Sequence, residues 1–170
     1  TDIVSLFVNY AIILAAIPAL AGFIGWVVIG KSFGFGTIRM PIGKAIMFLV
    51  FTYIFALLGA FLLGLVIDAL ATTFGAKKDL NESVKISVYA FTIAWLGGVF
   101  NLIPAIAVLG LLVGLYSLYL IYLGIKTVKS PPKDKEVPYF VVTLISYIVI
   151  TVILGMIISQ IIFGTTSMFI

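Results

Sequence analysis

Cysteine and histidine are absent from the chain. Their absence removes disulfides, thiolate and imidazole metal sites, cysteine nucleophiles and histidine acid–base chemistry together. Charge is scarce as well: 9% of residues are charged, against about 25% in ordinary soluble proteins. The six carboxylates fall mostly near predicted connections, so an oxygen-ligated metal has little to bind. No nucleophile–base pair, metal set or cofactor motif emerges, and the chain reads as a protein that is not an enzyme and carries no cofactor.

Apolar residues fill the space that charge leaves. They make up 64% of the chain, where roughly 45–50% is usual. A soluble domain of 170 residues cannot hide that much apolar surface, because its exterior needs polar cover. Uncharged runs longer than the ~18 residues that mark a membrane span settle the class. The expectation is an all-α, polytopic membrane helical bundle, formed by residues 1–170 as a single domain. The net charge of +4 then reports topology and contact with anionic lipid headgroups, not nucleic acid. The opening lacks a basic segment and its apolar run is long, so it reads as a span and not as a cleavable signal peptide.

Five transmembrane helices are expected, at about 3–29, 45–67, 82–101, 105–125 and 137–163. The first is about 40 Å long at 1.5 Å per residue and should bend at Pro18. Lys31 to Pro41 resembles a phosphate cradle in its glycines but lacks the Gly-Lys-Ser/Thr ending, so it reads as an interfacial connection with its phenylalanines near the headgroups. The second span offers Ala56, Gly59, Ala60 and Gly64 for close packing. Asp68 ends its uncharged run, either reaching interfacial water or serving as a buried functional carboxylate. Gly75 is a credible helix stop. Asp79 and Glu82 have capping-box spacing, which starts the third helix at Leu80. Asn101-Leu-Ile-Pro104 reads as a turn. The fourth span carries Gly110 and Gly114 at packing distance, and the fifth pairs Gly155 with Ser159. The stretch Asn101–Glu136 reads as the central piece against which the other spans pack.

With five spans, the N-terminus, the second connection and the fourth connection share one side. That side holds seven of the ten Lys and Arg residues, which places the N-terminus in the cytoplasm and the C-terminus outside or in a lumen. Counting seven residues inward from the charges on this side lands on Asn9, Thr92, Tyr119 and Thr143, each about 10 Å deep. Tyr89 and Tyr122 lie one turn shallower. Polar groups in hydrocarbon need partners, so some of these six are expected to converge as an intramembrane polar layer. Such a layer either fastens helices together or lines a cytoplasm-facing cavity for a lipid headgroup, an ion or a small solute.

Several segments occur in an order that resembles the Yip family of small membrane proteins. They are Ala71-Thr-Thr-Phe-Gly75, Tyr89-Ala-Phe-Thr92, the Asn101–Pro104 turn and Leu115-Tyr-Ser-Leu-Tyr-Leu-Ile-Tyr-Leu-Gly124. Lys129-Ser-Pro-Pro and Tyr139 extend the resemblance, which covers roughly Asp68 to Val149. It implies a five-span domain with a cytoplasmic N-terminus, in the cell membrane of a prokaryote or the ER or Golgi membrane of a eukaryote. Eukaryotic relatives act in early secretory trafficking, interact with Rab-type GTPases and form oligomers with related proteins. Their cytoplasmic N-terminal region is substantial, whereas only Thr1 and Asp2 precede the first span here. That departure argues against GTPase binding and favours the minimal microbial type. The resulting expectation is a non-enzymatic protein that scaffolds membrane partners or organises lipid, with membrane lipids, other membrane proteins or further copies of itself as partners. The alternative is a small transporter or channel that uses the polar layer.

Overall fold

The computed structural model describes residues 2–32, 37–102 and 107–164. Five helices in it are long and apolar enough to cross a membrane. Helix α1 covers Ile3–Ile29, α2 Ile42–Ala71, α3 Leu80–Gly97, α4 Ala107–Gly124 and α5 Glu136–Gly164. Helices dominate because a chain in hydrocarbon must satisfy every backbone N–H and C=O within itself. Between α1 and α2, Lys31–Ser32 (β1) and Thr37–Ile38 (β2) form a two-rung antiparallel pair. The phenylalanines of that connection lie outside the described residues, as do Ile103 and Pro104 of the expected turn. Before them the chain is 3₁₀-helical over Gly98–Leu102.

Several helix boundaries have a local cause. The Asp2 carboxylate caps α1 by accepting from the Ile3 N–H at 2.8 Å. Pro18 lies inside continuous α-helix. The departures from regularity are π-turns on either side of it, at Phe7–Ala11 and Gly25–Ile29. Gly98 makes room for the proline, since a Cβ there would sit 2.5 Å from the Pro18 Cβ. Helix α2 ends in a Schellman turn, with Ala76 N–H donating to Ala71 O and Gly75 N–H to Thr72 O. Gly75 takes the left-handed φ of 69° that this turn requires. Asp79 caps α3, its carboxylate accepting from Glu82 N–H. The Glu82 side chain pairs with Lys85 at 2.8 Å, so only one half of the expected box forms.

The helix at the centre of the bundle is α3, not the stretch from Asn101 to Glu136. Half of α3's most apolar window is buried inside the protein, against 11–22% for the other four helices. It feeds both core clusters. Val84, Val88 and Trp95 pack with Leu6, Ala11 and Ala15 of α1 and Ala60 of α2. Ile86 and Ala90 pack with Leu63 and Ile67 of α2, Ile121 and Ile125 on the α4 side, and Tyr139 of α5. The reversal has a physical reason: in a bilayer the peripheral helices meet lipid and need the most apolar sequences, while the enclosed helix can carry serines and threonines. These contacts also fix the threading. The start of α1, the end of α2, the start of α3, the end of α4 and the start of α5 gather at one end of the bundle.

Small residues set the closeness of packing, though not at every expected position. A Cβ on Gly64 would lie 2.7 Å from Val84 Cγ2 and 2.8 Å from its Cα, and one on Gly59 would lie 2.9 Å from the Tyr147 hydroxyl. Gly110 and Gly114, expected to pack, have nothing among the described residues within 4 Å of such an atom. Gly155 is equally open, and the Ser159 side chain lies outside the described residues. The close contacts of α4 fall instead at Gly124, against Ile86, and where Val113 meets Gly97 of α3.

Candidate functional site

Asp68 stands in the last turns of α2 on the face that carries Ile67 and Ala71 into the core. A carboxylate cannot sit there uncompensated, because desolvating an ion costs several kcal/mol, as an order of magnitude. Its partner comes from 61 residues away: Lys129 Nζ lies 3.4 Å from Asp68 Oδ1. Lys129 is 1% exposed. A π-turn over Ile125–Lys129 prolongs α4 and ends where Ser130 adopts a left-handed φ of 46°. This local geometry turns one lysine of the basic connection inward. The connection is therefore not uniformly a headgroup-facing surface.

All three ammonium protons of Lys129 find acceptors within the protein. Besides Asp68 they reach the carbonyls of Lys77 at 2.9 Å and Asp79 at 2.8 Å. The Lys77 N–H donates back to the Lys129 carbonyl. The Ser83 hydroxyl lies 2.8 Å from the Asp79 carbonyl and 3.2 Å from Asp68 Oδ1. Below this cluster the Tyr139 hydroxyl donates to the Ile67 carbonyl, and its ring stacks on Phe74 at 5.2 Å. Asp68, Ser83, Lys129 and Tyr139 thus tie α2, α3, the end of α4 and α5 together at one end of the bundle. Of the two readings open for Asp68, the structure supports burial. The carboxylate serves as the anchor of a clasp. Sequence reasoning missed Lys129 and Ser83; the available signal was that a buried carboxylate requires a cation on a neighbouring helix.

The six residues of the expected polar layer do not meet. No hydrogen bond joins any two of them. Thr92 pairs with Tyr10 at 2.9 Å, and the Tyr10 ring meets Tyr89 edge-on at 5.6 Å. Asn9 is exposed and bonds Ser5 on its own helix. Tyr119 is 54% exposed and lies beside Tyr116. Tyr122 joins a separate rim cluster, donating to Glu136, which also pairs with Lys126. Thr143 is fully buried, and its hydroxyl has no partner among the described residues, as is true of the buried Ser117 hydroxyl. Equal depth fixed the height of these groups but not their direction around each helix.

The family model described as the Yip1 domain matches residues 1–158. The chain belongs to this family. A curated relative, the inner membrane protein YohC of Escherichia coli K12, is 29% identical, with the match covering 88% of this chain and 80% of YohC. The YohC of E. coli O6:H1 matches to the same extent. No solved structure matches. In this Yip1 domain, segments that carried the resemblance converge on the clasp. Ala71–Gly75 forms the Schellman turn, Lys129 is the buried cation, Pro132 packs over Gly75, and Tyr139 crosses to α2. The family and the five apolar helices together make it an integral membrane protein.

Proposed function

We propose that this Yip1 domain is a non-enzymatic membrane scaffold: a fastened five-helix body that holds other membrane proteins, or further copies of itself, against its lipid-facing helices. The observation that carries this reading is the saturation of Lys129, whose ammonium is fully coordinated by Asp68 and two carbonyls. A buried pair satisfied in this way fastens helices, and Lys129 keeps no donor for a passing anion or solute. Two lateral grooves open on the outer faces of the helices; of the six polar-layer residues only Tyr89 lines either of them, and neither reaches Asn9, Thr92 or Tyr119. The clasp end, which holds seven of the ten cations, faces the cytoplasm in this proposal. The excess persists when buried Lys129 is set aside.

The test is photo-crosslinking in native membranes from outward positions such as Leu112 and Ile145, with products identified by mass spectrometry. Discrete membrane-protein adducts confined to particular helix faces are expected. Saturable solute or ion flux in proteoliposomes, abolished by Thr92→Val, would overturn the scaffold in favour of a transporter.

A further inference from the structure

Beside the clasp, and sharing none of its bonds, the outer faces of α3 and α4 leave an open groove of about 300 Å³. Its floor is the close approach of Gly124 to Ile86, where a Cβ would lie 2.6 Å from Ile86 Cγ2. Leu120, Leu123 and Val128 supply apolar wall, while Glu82 and Lys85 stand at the charged end. Measured as helix, Glu82 to Ala90 and Leu120 to Val128 each span about 12 Å. That is most of the ~15 Å depth of one leaflet's hydrocarbon. The groove thus runs from the headgroup level down along the acyl chains.

Any lipid tail suits such walls, so selectivity lies at the mouth. Lys85 donates to Glu82 Oε1 at 2.8 Å, and an ammonium has three donors. Two remain for a phosphate. Glu82 keeps its second carboxylate oxygen for a cationic donor. An anionic headgroup would satisfy Lys85 and be repelled by Glu82, whereas a phosphate beside a primary ammonium satisfies both. We propose that this groove is a site for one phosphatidylethanolamine, with an acyl chain along the groove, its phosphate on Lys85 and its ammonium on Glu82. The site goes beyond the scaffold reading and stands without it.

The experiment is native mass spectrometry of the delipidated full chain in detergent, titrated with phosphatidylethanolamine, phosphatidylcholine or phosphatidylglycerol. Wild type should prefer phosphatidylethanolamine by about tenfold, the worth of one charge-assisted hydrogen bond. Glu82→Gln should abolish the preference over phosphatidylcholine, while Val128→Trp, which fills an exposed wall, should weaken all three lipids. Phosphatidylglycerol binding as well as phosphatidylethanolamine, or a preference unchanged by Glu82→Gln, would overturn the site. Neither readout depends on crosslinking to partners or on solute flux, so the groove and the scaffold can fail separately.

Discussion

Lys129 shows how a residue type acquires its role from its surroundings. In the sequence it is one cation among several in a basic connection; in the fold its ammonium is enclosed with three acceptors. Removing the charge leaves Asp68 buried and unpaired. Lys129→Met should therefore lower stability by about 3–5 kcal/mol, measured as thermal unfolding in detergent. Adding Asp68→Asn should recover part of that loss, since neighbouring pairs couple by about 0.5–3 kcal/mol. Strict additivity of the two changes would mean that the pair does not interact. Tyr139→Phe should cost only about 0.5–1.5 kcal/mol, the net worth of one hydrogen bond. Asp68 was legible in the sequence because a charge closing a long apolar run stands out. Lys129 was not, because only the π-turn and the left-handed Ser130 turn it inward.

Helices reveal a different division. Glycine spacing identified Gly59 and Gly64 as contacts but placed Gly110 and Gly114 among them as well, and these have nothing among the described residues within 4 Å. A GxxxG motif marks a smooth strip on a helix without stating which way the strip faces. The two kinds of glycine should respond unequally to substitution. Gly64→Ala forces a methyl against the Val84 backbone and should destabilise by about 1–3 kcal/mol. Gly114→Ala should stay within about 0.5 kcal/mol of wild type. Thermal unfolding of both variants in the same detergent checks the contrast, and equal losses would contradict the packing. The central place of α3 escaped the sequence for a related reason: its modest hydropathy reads as a weaker span, yet inside a bundle that is the mark of enclosure.

For the whole molecule, the five membrane-length helices among the described residues and the gathering of connections at the clasp end put the start of α1 and the end of α5 at opposite ends of the bundle. The excess of Lys and Arg at that end predicts that a reporter fused after Ile170 behaves as non-cytoplasmic. Cytoplasmic activity of the fusion would reverse the orientation. The sequence by itself determined the membrane class, the five helices and which connections share a side, because hydrocarbon imposes long apolar runs and parity follows from counting them. Tertiary structure alone decided which faces are enclosed, which glycines touch a neighbour and which lysine meets Asp68 across 61 residues. Hydropathy is summed along a helix axis and records depth, whereas contact depends on rotation about that axis, which only the packing of one helix against another sets.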